Sequence, residues 1–230
     1  MTQTPIEDRL LNAMISHVPF DGWSEASFRA AISESDVNDT VARALYPRGA
    51  VDLALAYHRK GDAAMVARLN EADLSAMRFR DRIAFAVRAR LELVEDKELV
   101  RRGMTLFALP TYAPDGAKAV WGTVDAIWTA LGDTSDDVNW YTKRGTLGAV
   151  YSATVLYWLG DDSPDHQATW EFLDRRIDNV MQIEKAKAQA RDNPVLSKLM
   201  AGPNLLLSRL KPPRPTTGFP GRWQPQDSDK

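Results

Sequence analysis

The sequence contains no cysteine, which excludes disulfides, thiolate metal sites and a cysteine nucleophile. It has no apolar run near the ~18 residues that a membrane-spanning helix requires. Its 29 basic residues are offset by 31 acidic ones, leaving a net charge of −2 and no support for general nucleic-acid affinity. Histidine is scarce: His17, His58 and His166 lie far apart and in no ligand spacing. HExxH, paired ExxH, GxSxG, P-loop and GxGxxG patterns are missing, and nothing recurs at a period of about 20–50 residues. The opening MTQTPIEDRLL reads as neither a signal nor a transit sequence. These absences predict a non-catalytic intracellular protein without metal or cofactor.

What is present is apolar bulk. With 44% apolar residues in 230, the chain can bury a full core. Residues 5–18 read as a first helix with Ile6, Leu10, Met14 and Ile15 on one face, broken by Pro19 and Gly22. Ser24 caps a short helix carrying Phe28, Ala31 and Ile32, and residues 33–36 form a tight polar turn. A third short helix over 38–45 is stopped by Tyr46-Pro47-Arg48-Gly49. This is the layout of a helix-turn-helix. The presumed recognition helix, DVNDTVARAL, offers Asp36, Asp39 and only Arg43 to a phosphate-lined groove, so DNA binding is not expected.

A fourth helix begins at Ala50, and Gly61-Asp62 separates it from a segment over 63–69. Residues 74–106 are mostly helical, with Ile83, Val87, Leu91 and Val94 as the buried stripe. Arg78, Arg80, Arg82, Arg88 and Arg90 alternate with Asp81, Glu92, Glu95, Asp96 and Glu98, which reads as a solvated, salt-laced face rather than a phosphate site. One or two of these arginines remain candidates for a head-group contact. Residues 108–116 read as a loop, with Pro110, Pro114 and Gly116. Ser163-Pro164-Asp165 reads as a helix start, with Trp170, Leu173, Ile177, Val180 and Met181 facing inward beyond it.

The stretch from Trp121 to Trp158 organises the chain and holds four of the seven tryptophans. Trp121, Val124, Trp128 and Leu131 form one helical stripe; Trp140, Arg144, Leu147, Tyr151, Val155 and Trp158 form another, beside a small-residue ridge of Gly145, Gly148 and Ser152. Asp133, Asp136 and Asp137 read as helix capping. Aromatic stripes of this kind are usually core. The dense Asn139–Arg144 cluster at a helix start suits an interaction surface as readily. A bundle rich in aromatic and aliphatic bulk, without a polar constellation, can also hold an apolar ligand by area alone. At ~25 cal/mol per Å², a chain burying several hundred Å² gains on the order of 10 kcal/mol before entropic costs. The candidate lining is Trp121, Val124, Trp128, Leu147, Tyr151 and Leu156.

GDTSDDVNWYTKR, preceded by TVDAIW and followed by DSPDHQATWEFLDRRIDNVM, resembles the Coq-nine family of ubiquinone-biosynthesis accessory proteins, from about Pro19 to about Lys187. The resemblance implies an all-α, TetR-family-like helical bundle with a vestigial N-terminal helix-turn-helix over 1–60 and a ligand-binding bundle over 61–190. It implies a non-catalytic, homodimeric protein that binds an isoprenoid, quinone or phospholipid and presents quinone intermediates to a demethoxyubiquinone-type hydroxylase. Asp125, Ile127, Asn139, Trp140 and Tyr141 match motif positions implicated in meeting that hydroxylase, and Ile127 is expected at the half-exposed edge of its stripe. Within 191–211, Leu199, Met200, Leu205, Leu206, Leu207 and Leu210 suit a helix at a membrane surface or one docked on the bundle. Gly202-Pro203 interrupts it, giving two half-helices or a hinge, and the proline-rich 212–230 is expected to be disordered. The expected location is cytoplasmic, peripheral to the inner face of the membrane. The rival from another class is a TetR-type lipid-responsive transcription regulator.

Overall fold

The computed structural model describes residues 5–136 and 138–192; the membrane-binding candidates between Leu199 and Leu210, the interrupting Gly202-Pro203 and the tail over 212–230 lie outside them. Among the described residues there are nine α-helices and no strand: α1 (Ile6–Asp21), α2 (Glu25–Glu34), α3 (Asp39–Leu45), α4 (Ala50–Glu71), α5 (Phe79–Glu92), α6 (Lys97–Phe107), α7 (Ala113–Ala130), α8 (Val138–Leu159) and α9 (Gln167–Asp192), with a short 3-10 turn, Pro164–His166, before the last.

The N-terminal helices form the expected helix-turn-helix. Ser24 accepts a hydrogen bond from the Ser27 N–H and Asn38 from the Thr40 N–H, capping α2 and α3. Gly49 takes φ +57° to start α4, where a Cβ would also press on the Phe28 ring at 3.2 Å. Arg48, from the turn between α3 and α4, bonds Asp52 at 2.9 Å and Asp115 on α7 at 2.8 Å, tying the motif to the bundle. Two apolar clusters result. The first gathers Leu10, Met14, Phe28, Leu53 and Leu99, and the second Met65, Val87, Ile127, Trp158 and Leu173. One helix, α4, serves both: Leu53 and Ala54 belong to the first, Met65 and Leu69 to the second.

Four local expectations are corrected. Pro19 does not break α1, which runs on to Asp21. Proline removes one donor, but this is the last turn, where the Gly22 N–H still reaches the Val18 carbonyl at 2.8 Å and Arg102 donates to the Pro19 carbonyl at 3.0 Å. Gly61-Asp62 does not separate two helices, because α4 is continuous from Ala50 to Glu71. The glycine is there for space: a Cβ on Gly61 would sit 2.7 Å from the Arg90 guanidinium. Arg90 is therefore not on a solvated face; it is 4% exposed and paired with Asp62 at 2.7 Å. Its neighbours Arg78 and Arg88 pair on the surface with Asp81 and Glu92, as the charge pattern suggests. Finally, residues 113–116 are helix rather than loop, since proline suits the first turn of α7.

The start of α9 also differs in detail. Asp165 and His166 take positive φ. Ser163 caps α9, its hydroxyl accepting from the Ala168 N–H at 3.0 Å, and Asp161 caps beside it, accepting from the Ser163 and Thr169 N–H groups at 2.9 Å each and from the Thr169 hydroxyl. Burial would raise its pKa, but these bonds hold the carboxyl well below its ordinary value.

In an ordinary helix interior, alanine is favoured over glycine by about 1 kcal/mol. At position 61 the sign reverses: Gly61→Ala displaces the Arg90 guanidinium from its buried pair and lowers the unfolding free energy in urea by about 1–3 kcal/mol. Equal or greater stability in the variant contradicts the placement of Arg90.

Candidate functional site: an apolar cavity and an aromatic patch

The seam between the two clusters is not filled. A cavity of about 350 Å³ opens between α4, α5, α6, α7 and α8, walled by Ala54, Leu91, Leu99, Val100, Met104, Phe107, Val120 and Val155, with Trp23 from the loop between α1 and α2. That volume is at the lower end of the roughly 300–1,000 Å³ range of small-molecule sites, so it suits part of a long apolar molecule. Small residues make the room: Gly103 on α6, Gly116, Ala117 and Ala119 on α7, and Ser152 on α8. Trp23 is fixed by its indole N–H, which donates to the Leu99 carbonyl at 3.1 Å, and its ring lies 5.6 Å from Tyr57. The polar side chains on the wall are Tyr57 and His58 from α4, Arg90 from α5, and Tyr151 and Ser152 from α8. Burial pushes the Tyr151 phenol above its ordinary pKa and the His58 imidazole below its own, so both are neutral near pH 7.

A second cavity of about 260 Å³ lies on the far side of the bundle, between α5, α7, α8 and α9, lined by Phe79, Ile83, Trp128, Leu147, Val150, Ile177, Val180 and Met181. Of the six candidate lining residues, Tyr151 and Leu156 border the first cavity, and Trp128 and Leu147 the second. Val124 is fully buried core. Trp121 faces outward at 37% exposure.

Trp121 belongs to an aromatic patch instead. Its ring centroid is 5.8 Å from Trp140 and 6.4 Å from Tyr141, and those two rings meet edge to face at 4.8 Å. Arg144, 2% exposed, stacks on Trp140 with its guanidinium carbon 4.0 Å from the ring centre, and bonds Asp125 at 2.5 Å and Asp133 at 3.0 Å. Three of the five partner-surface candidates, Asp125, Trp140 and Tyr141, thus form one cluster. Asn139 is exposed beside the second cavity. Ile127 is a correction: it is fully buried, because its direction on α7 points into the second cluster rather than along the edge.

Asp133 likewise does more than cap. Its side chain is 3% exposed and bonded by Lys143 at 2.7 Å, Ser135 at 2.8 Å and Arg144 at 3.0 Å. Burial alone would raise its pKa; those bonds outweigh burial and lower it from 3.8 to about 2. Sequence reasoning missed Asp62, Thr123 and the partnered Arg90. The i,i+4 spacing of His58 and Asp62 was the one available signal. Among the described residues, no group of three or more histidine and carboxylate side chains is placed to hold a metal ion.

Residues 113–184 match the COQ9 family model. That segment contains the aromatic patch and the α7 and α8 walls of the first cavity. The chain is 34% identical over 189 residues to the ubiquinone biosynthesis protein COQ9, mitochondrial, of Drosophila melanogaster, covering 80% of this chain and 58% of that protein. This chain is a relative of the COQ9 proteins. The Dictyostelium discoideum protein described as a probable ubiquinone biosynthesis protein coq9 is 29% identical over 78% of this chain and 61% of its own length. The Homo sapiens COQ9 is 27% identical over 83% and 62%. The chain therefore spans about three fifths of the length of these curated relatives. Among solved structures, a TetR transcriptional regulator from Nitrosomonas europaea superposes with a TM-score of 0.62, covering 76% of this chain and 96% of that one at 19% identity. The TetR-like all-α fold is thereby established; at that identity the likeness speaks for fold alone.

A carboxylate depressed in the fold stabilises the fold above its ordinary pKa, and that contribution is lost as pH falls toward the depressed value. For Asp133 about 2 kcal/mol is present above pH ~4 and lost between pH ~4 and ~2. Asp133→Asn lowers the urea-derived stability at pH 6 by about 2 kcal/mol or more and flattens the acid limb of the stability profile. An unchanged acid limb contradicts the buried ion-pair reading.

Proposed function

We propose that this chain is a non-catalytic accessory protein of ubiquinone biosynthesis that binds an isoprenoid or quinone-type lipid in the α4–α8 cavity and presents a quinone intermediate to a membrane-associated hydroxylase. The observation that carries the reading is the apolar cavity left open at the seam of the two clusters. Burial of apolar surface suffices to hold such a ligand, and no reacting group is needed. The names of the relatives place those proteins in ubiquinone biosynthesis and in mitochondria. The hydroxylase contact is assigned to the Trp121–Trp140–Tyr141 patch, where half-exposed aromatic rings are held rigid by Arg144. No helix among the described residues is long and apolar enough to cross a membrane, and the proposed attachment to the inner face of the membrane is peripheral.

The rival reading, a transcription regulator, is disfavoured by α3. Its single arginine, Arg43, is already engaged by Glu25 at 2.7 Å and Asp39 at 3.1 Å, leaving little charge for phosphate.

Two variants test the two halves of the proposal. Ser152→Phe, which fills the cavity from α8, weakens binding of a dansylated farnesyl probe at least about tenfold while the chain still melts cooperatively. Undiminished binding removes the cavity from consideration. Trp140→Lys keeps the helical spectrum but abolishes capture of a demethoxyubiquinone-type hydroxylase; a variant that unfolds makes Trp140 a core residue, and one that still captures the hydroxylase moves the contact elsewhere.

A further inference from the structure

The wall of the first cavity is mostly apolar but carries one cluster of charged and polar side chains. There His58 and Arg90 meet Asp62 and Thr123 in a single hydrogen-bonded group, with Tyr151 on the same cavity wall. Its proton positions follow from its chemistry. The Thr123 hydroxyl lies 3.0 and 3.1 Å from the two Asp62 oxygens, and a carboxylate only accepts, so Thr123 donates to Asp62 and its oxygen accepts from elsewhere. His58 Nε2 lies 2.8 Å from that oxygen and 3.2 Å from the Ala119 carbonyl, which also only accepts. The imidazole hydrogen is therefore on Nε2. Arg90, donating to Asp62 at 2.7 Å and to the His58 carbonyl at 3.2 Å, fixes both residues from the other side. Burial, reinforced by the Arg90 charge, disfavours a second proton on the ring more than Asp62 favours it.

A neutral imidazole with its hydrogen on Nε2 presents a lone pair at Nδ1. Among the described residues every hydrogen bond of the His58 ring is made through Nε2, and His58 lines the cavity with 21% of its side chain exposed. An acceptor left without a protein partner on a residue that lines an apolar cavity is available to a ligand's donor. We propose that this pole receives the head of an apolar ligand: the O–H of a phenol or alcohol donates to His58 Nδ1, and the hydrocarbon chain lies along Leu91, Met104, Phe107, Val120 and Val155. The inference rests on the lipid-binding reading of this cavity and adds to it a polarity, a direction and a selectivity for ligands that carry a hydroxyl. Asp62, Thr123 and Arg90 act as positioning residues, holding the ring in the tautomer that accepts.

The test uses the full chain and two matched compounds, para-dodecylphenol and its methyl ether, each displacing the dansylated farnesyl probe. The phenol can donate and the ether cannot. The wild-type chain is expected to bind the phenol about tenfold more tightly than the ether. His58→Phe keeps the ring but offers no lone pair, and His58→Gln keeps a donor near the Nε2 position while offering no acceptor at Nδ1; in both, the ratio falls to near one because the phenol loses its advantage. If one variant fails to fold, the other carries the comparison. Equal binding of the two compounds by the wild type, or a tenfold ratio that survives in the variants, overturns the proposal while leaving the lipid-binding reading in place. A chain that binds neither the probe nor either compound overturns that reading, and this proposal with it.

Discussion

The structure turns on one buried ion pair. Arg90 of α5 is 4% exposed and lies against Gly61 of α4, with its charge matched by Asp62. A guanidinium in that position without its carboxylate would cost about 3–5 kcal/mol, so the register of α4 against α5 is set by a contact with little tolerance. Both apolar clusters depend on that register, because α4 contributes Leu53 and Ala54 to one and Met65 and Leu69 to the other. The same pair holds Thr123 and His58, which brings α7 into the arrangement. The cavity opens beside this polar knot, where the two clusters meet and small residues on α6, α7 and α8 leave the seam open.

Helix α7 then divides the work. Its Ala119, Val120 and Thr123 side looks toward α4 and the cavity, its Val124 and Ile127 side is fully buried, and Trp121 and Asp125 face out into the aromatic patch. A ligand in the cavity and a partner on the patch would be about one helix diameter apart, roughly 10 Å. If the proposed ligand and partner bind at these two places, a rigid helix rather than a flexible loop lies between them. Asp62 beside the cavity and Asp133 beneath the patch are each paired with an arginine, so neither place is left with an uncompensated buried charge.

Much of this was legible in the residues. Capping by Ser24, the third short helix with its stop at Gly49 and the stripe of Leu147, Tyr151, Val155 and Trp158 follow from local chemistry and helical period. What was not legible depends on contacts between residues distant in sequence. Gly61 reads as a break until Arg90, on another helix, occupies the space where its side chain would be. Arg90 itself reads as one more surface arginine in an alternating charge pattern, because burial of a long basic side chain leaves no local signature. The candidate lining was drawn from the largest apolar side chains of the hairpin, yet large side chains fill space rather than enclose it. The first cavity is bounded by Ala54, Gly103, Ala117 and Ala119 as much as by any aromatic ring, and absence of bulk shows in a sequence only once the neighbours are known.

The central claim is that the cavity exists to hold a lipid, and mass spectrometry of the organic extract from the chain purified without detergent tests it most directly. The account predicts an isoprenoid or quinone-type lipid near one per chain. An extract with no lipid above that of an unrelated helical protein prepared in parallel would contradict it.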